Sequence, residues 1–194
     1  MELWVGTSNS GKMTEIKNFF MGTNVQVHSI SELPVYSSPK ETGDSFIANA
    51  RIKAKALKSV KSGVWIMAED SGLEVMGLNN MPGIHSARYA GEKAKDAENI
   101  AKLLKMMSLR SATHREAQFK CAMVVYDPEG NESVFEGLLK GTISRSPKGT
   151  SGFGYDPVFI PEGYDKTIAE LAPIEKNKIS HRVQALRQFK KSFL

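Results

Sequence analysis

The residues whose types and spacing could do chemistry begin near the amino terminus, where a short apolar run meets a small, polar loop. Residues 3–5 predict a strand, and the amphipathic run after residue 12 predicts a helix. Such a junction presents backbone N–H groups and a positive dipole end to phosphate. Gly6 and Gly11-Lys12 have the spacing of a P-loop, but Met13 follows, and a thioether cannot hold magnesium as a Ser or Thr hydroxyl does. The loop is predicted to bind phosphate, and whether it is a P-loop stays open.

Two adjacent acids, Glu69 and Asp70, follow an apolar run and precede Ser71 and Gly72. In open α/β sheets, ligands gather at the carboxyl ends of strands, and neighbouring carboxylates with a hydroxyl suit a divalent cation and its waters. Side chains alternate along an extended chain, so both acids can enter one pocket only if the strand ends between them. The alternative to a metal site is that these residues form a solvated turn.

A third acid, Glu41, lies in a predicted loop before a helix expected over 44–61. Asp44 is predicted to cap that helix, which leaves the carboxylate of Glu41 free. An interaction with the helix dipole and a role as a metal ligand are equally supported by the residues alone.

Two further segments combine groups that suit a nucleoside. Residues 150–157 interleave glycines with Phe153 and Tyr155, so the backbone can approach a ligand closely and an aromatic ring can stack on a base. A structural turn with a core aromatic is the alternative. Lys176 and the run Ser180-His181-Arg182 supply the hydrogen-bond donors that the edge of a purine needs.

Composition narrows the function classes. The 194 residues suffice for one well-packed domain over 1–194, and the single cysteine, Cys121, is predicted to be a buried apolar residue in a reducing, cytoplasmic compartment. No apolar run is long enough to span a membrane, and no signal peptide is predicted.

The net charge of +5 comes partly from a basic stretch over 51–61. This basic stretch is interpreted as a solvated helix face. The alternatives are a stripe that binds nucleic acid and a site for a polyanionic small substrate.

The elements that must position these residues alternate in type and predict an α/β fold with a mixed sheet. Strands are predicted over 2–6, 25–30, 64–69, 73–76 and 157–160, and helices over 12–21, 44–61, 93–107, 173–178 and 180–191. A long hairpin over 116–126 and 132–144 is predicted to turn at 127–131, where Pro and Gly favour a tight reversal.

Taken in order, six blocks resemble the inosine/xanthosine triphosphate pyrophosphatase family, whose members remove deaminated purines from the nucleotide pool. The blocks are Thr7-Ser8-Asn9-Ser10-Gly11-Lys12, Glu41-Thr42-Gly43, Ala68-Glu69-Asp70-Ser71-Gly72-Leu73, Pro82-Gly83-Ile84-His85-Ser86-Ala87-Arg88-Tyr89, Gly152-Phe153-Gly154-Tyr155-Asp156-Pro157 and Ser180-His181-Arg182. The resemblance covers essentially the whole chain. His85 departs from the Tyr of many members, and Glu69 stands where some have Asp.

The resemblance implies a fold, a reaction and a site. The fold would be an elongated mixed β-sheet flanked by helices, with two lobes and a central cleft. The reaction would be hydrolysis of ITP, dITP and XTP to the monophosphate and pyrophosphate with Mg²⁺. Glu41 and Asp70 would bind the metal, and Asp70 would also be the catalytic base. The implied substrate-binding residues are Thr7, Ser8, Asn9, Ser10, Gly11, Lys12, Lys53, Ser71, Phe153, Gly154, Tyr155, Asp156, Lys176, His181 and Arg182.

The implied partner is a small-molecule nucleoside triphosphate, with a homodimer as the assembly and neither nucleic acid nor membrane bound. Two rival classes stay open on the residues. A P-loop phosphotransferase would release orthophosphate or a phosphorylated acceptor, and a nucleic-acid binder would show steeply salt-dependent binding.

Overall fold

The computed structural model describes residues 1–110 and 114–194 as a mixed β-sheet with helices packed on it. The strands are β1 (Glu2–Val5), β2 (Gln26–Ser29), β3 (Trp65–Val75), β4 (Met81–Pro82), β5 (Glu116–Tyr126), β6 (Glu132–Ile143) and β7 (Phe159–Pro161). The helices are α1 (Ser10–Phe20), α2 (Phe46–Val60), α3 (Asp96–Leu109), α4 (Pro173–Ile179) and α5 (His181–Phe193).

Both parallel and antiparallel pairs occur in the sheet. The strand order is β2-β1-β3-β5-β6-β7, and β4 pairs with β3. β1 lies parallel to β2 and β3, whereas the β3–β4 and β6–β7 pairs are antiparallel. The predicted α/β class and mixed sheet are confirmed. None of the helices in the described part of the chain is long and apolar enough to cross a membrane.

Contacts divide the chain into two compact units. The first unit contains residues 1–70, 121–137 and 182–194, and the second contains residues 71–120 and 138–181. Each has its own apolar core, so each set of site residues is positioned by the packing of its own unit.

In the first unit, the alternation of side chains along the strands sorts the core into two clusters. Leu3, Met67 and Met123 pack with α1 and α5. Trp4 and Ile66 belong to the other cluster, which packs with α2. Successive side chains of a strand point to opposite faces of the sheet, so α1 and α5 cover one face and α2 covers the other.

The core of the second unit is built around α3. Ile100, Leu103 and Met107 of this helix belong to one buried cluster with Leu73 of β3 and Phe159 of β7. Their spacing along α3 places them on one face of the helix, as expected for a helix packed on a core.

Two local predictions were wrong. The strands predicted over 64–69 and 73–76 are one continuous strand, β3, which runs through both acids and Gly72. The cap of α2 is Ser45 rather than Asp44, because the helix begins only at Phe46 and the Ser45 hydroxyl accepts from the Ala48 N–H at 3.2 Å.

Candidate active site

The predicted phosphate loop lies between strand β1 and helix α1, and one of its residues caps the helix. Asn9 caps the helix, since its side-chain oxygen accepts from the Lys12 N–H at 3.0 Å. The Thr7 hydroxyl accepts from the Asn9 N–H at 3.2 Å, which fixes the turn before the helix. Met13 is buried in the core. A buried apolar role therefore accounts for the residue that does not fit a P-loop.

A cavity of approximately 510 Å³ opens beside this loop within the first unit. Thr7, Ser8, Asn9 and Ser10 form part of its wall, and Lys17 adds a cationic side chain. Hydroxyl and amide groups around a helix amino terminus suit an anionic ligand. The packing of α1 thus gives the loop residues a common surface.

Asp70 and its partners lie on the α2 face of the sheet. Lys53 Nζ lies 2.7 Å from Glu41 Oε1 and 3.0 Å from Asp70 Oδ1, so one ammonium joins the two carboxylates that were predicted as metal ligands. The Glu41 carboxylate was predicted to be free, and the structure corrects this by pairing it with Lys53. Asp70 is only 6% exposed.

Asn49 is a member of this cluster that the sequence did not reveal. It is fully buried, its Nδ2 donates to Asp70 Oδ2 at 3.2 Å, and its Oδ1 accepts from the Gly43 N–H at 2.8 Å. Asn49 therefore connects the loop that carries Glu41 to the carboxylate of Asp70. The signal in the sequence was an amide on the buried face of an otherwise amphipathic helix.

Burial and the neighbouring charges shift the pKa values of this cluster in opposite directions. Burial raises the pKa of Asp70 above its usual value, and the nearby ammonium groups of Lys53 and Lys12 only partly offset this. Burial lowers the pKa of Lys53, but the charges of Asp70 and Glu41 outweigh it and leave the pKa raised. Asp70 is thus a carboxylate of increased basicity beside a permanently charged ammonium, which suits a general base.

Glu69 lies on the opposite face of the sheet, with α1 and α5. Its Oε1 is 2.9 Å from Lys12 Nζ and 3.3 Å from Arg182 Nε, and its Oε2 accepts from the Cys121 thiol at 3.4 Å. Arg182 also binds Glu15 through Nη1. Glu69 and Asp70 therefore belong to different clusters, because β3 continues through both and their side chains alternate.

The basic stretch of α2 makes specific contacts instead of forming a uniformly solvated face. Arg51 binds Glu132 on β6 with two nitrogens, at distances of 2.7 to 3.1 Å. Lys58 donates to the Gly130 carbonyl oxygen at 3.1 Å, whereas Lys53 turns inward to Asp70. Only Lys53 of these three cations contacts a predicted site residue.

In the second unit, a buried carboxylate organises the glycine-rich loop. Asp156 Oδ2 accepts from the Phe153 N–H at 3.0 Å and from Lys176 Nζ at 2.6 Å. The Lys176 ammonium also lies 4.6 Å from the centre of the Phe153 ring. These contacts bring Phe153, Asp156 and Lys176 together.

The neighbouring residues of this loop have distinct structural contacts. The Gly154 N–H donates to Asp96 at the start of α3, at 2.6 Å. Tyr155 is a core aromatic whose hydroxyl donates to the Ser86 carbonyl at 2.9 Å. His181 stacks on Phe119, with ring centres 4.9 Å apart. Ser71 follows Asp70 within β3.

Gly152 is predicted to be essential for this arrangement. Its φ of +83° is in the left-handed region, and a Cβ there would lie 2.0 Å from Asp156 Oδ2. Gly152→Ala should displace the carboxylate that holds Phe153 and Lys176. We expect kcat/KM for the nucleoside triphosphate implied by the resemblance to fall by about 100-fold, since a displacement of this size is costly in an active site. Steady-state pyrophosphate release measures the effect.

The matched control for this prediction is Gly163→Ala. Gly163 has a φ of +82°, with nothing within 4 Å of the added Cβ, so the variant introduces the same backbone strain without the clash. Equal losses of kcat/KM in both variants would attribute the effect to strain and contradict the role of Gly152.

The carboxylates on the α2 face fit a divalent cation. No group of three or more His, Cys, Asp or Glu side chains that could hold a metal occurs within residues 1–110 and 114–194. Glu41 and Asp70 nevertheless converge on the Lys53 ammonium, which shows that their oxygens can share one cation. Mg²⁺ needs only one or two protein carboxylates when phosphate oxygens and waters complete its shell.

The fold and these clusters define a class of protein: an α/β protein with a polar turn before α1, two acids that share the ammonium of Lys53, and an aromatic loop. The chain belongs to the Ham1 family, whose model matches residues 3–192. The family predicted from the six blocks is therefore confirmed.

The chain is similar over nearly its whole length to proteins of other organisms. It is 52% identical over 190 residues to a dITP/XTP pyrophosphatase of Bdellovibrio bacteriovorus, covering 97% of this chain and 96% of the relative. It is 44% identical to a dITP/XTP pyrophosphatase of Thermoanaerobacter sp., covering 100% and 97%. The structure of a HAM1 protein from Coxiella burnetii superimposes with a TM-score of 0.88 at 37% identity, covering 99% and 98%.

Proposed function

We propose that this chain hydrolyses ITP, dITP and XTP to the nucleoside monophosphate and pyrophosphate. The observation that carries the proposal is the convergence of Glu41 and Asp70 on Lys53, in the unit that also holds the phosphate loop. The dITP/XTP pyrophosphatases to which the chain is similar over its full length support this choice of substrates.

Residues of the predicted phosphate loop, of α2 and of β3 are proposed to bind the triphosphate and to hydrolyse it. The loop Thr7, Ser8, Asn9, Ser10 and Gly11 donates hydrogen bonds to phosphate oxygens, with Lys12 and Lys53 as cations and Ser71 as a further donor. Asp70 takes a proton from the water whose oxygen attacks the α-phosphorus. The bond from that phosphorus to the bridging oxygen breaks, and pyrophosphate leaves. The raised pKa of Asp70 favours this proton transfer.

A second set of residues is proposed to bind the base. Phe153 offers a ring for stacking, Gly154 and Tyr155 shape the loop, and Asp156 holds Lys176 as a donor. His181 and Arg182 are proposed as further residues that bind the base. A donor favours the 6-keto oxygen of hypoxanthine or xanthine, whereas the 6-amino group of adenine would meet it donor to donor.

The proposed cofactor is Mg²⁺, held by Glu41 and Asp70. When bound, it supplies positive charge that stabilises the phosphates during attack. Lys12 and Lys53 contribute charge from the chain itself, and Lys53 also keeps the two carboxylates together in the described structure.

The remaining features of the proposal concern the whole protein. Residues 1–194 act as one catalytic domain, because the chain passes between its two units at several points. We also propose a homodimer, a cytoplasmic location and no binding to nucleic acid or membrane. Arg51 forms an ion pair within the protein, and Lys53 points inward to Asp70. These contacts support a role for the positive charges in stabilising the fold and in binding a small polyanion.

A nucleotide panel tests the function. With Mg²⁺ present, ITP, dITP and XTP should each release pyrophosphate, and ATP should react more slowly by up to roughly 10⁴-fold, the scale that hydrogen-bond selection can reach. GTP is included because it also carries a 6-keto group. Removing the metal with EDTA should abolish the release.

Product analysis separates this function from the two rival classes. Orthophosphate or a phosphorylated acceptor would identify a phosphotransferase. No turnover together with steeply salt-dependent binding of DNA or RNA would identify a nucleic-acid binder. Equal rates with ITP and ATP would contradict the proposed selectivity while leaving the pyrophosphatase reaction intact.

A further inference from the structure

We propose that Glu69 is a positioning residue that holds the ammonium of Lys12 for the phosphates, and that it does not bind the metal beside Asp70. This inference rests on the proposed function, since Lys12 is there a phosphate-binding residue. It assigns separate tasks to two acids that are adjacent in the sequence.

The contacts of Glu69 leave little of its carboxylate available to a metal. Oε1 faces both Lys12 Nζ and Arg182 Nε, at 2.9 and 3.3 Å, and Oε2 accepts from the Cys121 thiol. The side chain is completely buried. Each oxygen is thus engaged by a hydrogen-bond donor of the first unit.

Two cations, Lys12 and Arg182, lie against this buried carboxylate. Arg182 is in turn bound by Glu15, so two cations and two carboxylates neutralise one another. A buried ionised carboxylate is tolerated because it is paired in this way.

The geometry leaves Lys12 able to bind phosphate while it is held. The side chain of Lys12 is 15% exposed, compared with 0% for that of Glu69. An ammonium has three N–H donors, so one can be directed to Glu69 while others reach phosphate oxygens. Fixing a flexible lysine before the substrate arrives places its charge where it stabilises the transition state.

Asp70 has different partners from Glu69, which argues against a metal that both acids bind. Its carboxylate contacts Lys53 and Asn49 of α2, whereas the partners of Glu69 come from α1, α5 and β5. Two ligands of one metal must converge on one point, and these two side chains leave β3 on opposite faces.

The experiment compares Glu69→Gln with Glu15→Gln. Glu69→Gln keeps the shape but removes the charge that holds Lys12, so kcat for ITP should fall by about 10- to 100-fold. KM should not rise, because a negative charge near the phosphates has been removed. Glu15→Gln removes a partner of Arg182 but leaves the Lys12–Glu69 pair, so its kcat should change much less.

Two further measurements separate positioning from the alternatives. The Mg²⁺ concentration for half-maximal rate should be unchanged in Glu69→Gln, whereas loss of a metal ligand would raise it. In a Lys12→Gln background, Glu69→Gln should cause little additional loss of kcat, because residues that act through one another are not additive. A raised Mg²⁺ requirement, or losses that multiply, would overturn the proposal.

A second pair of variants covers the case in which Glu69→Gln does not fold. Glu69→Gln is then combined with Arg182→Met, which removes both members of the buried pair, and is compared with Arg182→Met alone. A further fall in kcat would support the link to Lys12, and no change would contradict it. If the wild-type chain released no pyrophosphate from any nucleotide, the proposed function would fail, which is distinct from any result of these comparisons.

Discussion

Asp70→Asn is expected to lose at least about 1000-fold in kcat for ITP while the protein stays folded. General base catalysis contributes about 10²–10⁴-fold, and the same carboxylate is a proposed metal ligand. An asparagine has nearly the same shape and can still accept from Lys53 or Asn49, which lie 3.0 and 3.2 Å away. The reaction should therefore fail without a large change in packing.

The stability of this variant follows from the sign of the pKa shift. Burial raises the pKa of Asp70 in the folded protein, so the unfolded chain loses its proton at a lower pH than the folded one. The ionised carboxylate therefore costs stability at neutral pH. Asp70→Asn removes that cost, and its Tm should equal or exceed that of the wild type, as measured by thermal denaturation at pH 7.

Asp44→Asn is the matched control for this experiment. Asp44 is exposed and precedes the same helix, but the cap of that helix is Ser45. Its kcat should equal that of the wild type. Substantial turnover in Asp70→Asn would contradict the role of Asp70, and a large fall of Tm would show that the carboxylate is structural.

Arg182→Met is expected to give the largest loss of stability, about 3–5 kcal/mol. Arg182 is 1% exposed, and its guanidinium binds the carboxylates of both Glu15 and Glu69. A methionine fills similar space but removes the buried positive charge that both carboxylates share. The Tm should fall by on the order of 10 °C, measured by thermal denaturation at pH 7.

Controls distinguish the loss of charge from the loss of packing. Arg187→Met, at an exposed position of α5, should change stability by less than about 1 kcal/mol. Adding Glu15→Gln to Arg182→Met removes one of the two carboxylates and should recover part of the Tm. Failure of this recovery would show that packing, rather than charge, explains the loss.

The pH dependence of the Arg182→Met effect has a defined sign. The pKa of Glu69 is lowered in the folded wild type, so the stability that Glu69 contributes is present above its unfolded pKa and is lost as pH falls. In the variant, the carboxylates lose their main counter-charge and take up protons more easily. The difference in Tm between variant and wild type should therefore shrink as pH is lowered from 7 towards 5.

The sequence by itself determined the loop, the family and most of the elements. The turn between β1 and α1 was predictable because a capping asparagine at the start of α1 acts through contacts a few residues apart. The long hairpin was predictable because Pro128 and Gly130 at its turn have restricted or unusual backbone preferences. The six ordered blocks identified the family, which its matching model confirms over residues 3–192.

Only the tertiary structure decided which neighbour each charged residue has. A strand that ended between Glu69 and Asp70 would have placed both in one pocket, but β3 continues through them and sends them to opposite faces. Whether a strand continues depends on pairing with β1 and β5, which are distant in sequence. For the same reason, the buried contact of Asn49 with Asp70 and the inward turn of Lys53 emerge only when α2 packs on the sheet.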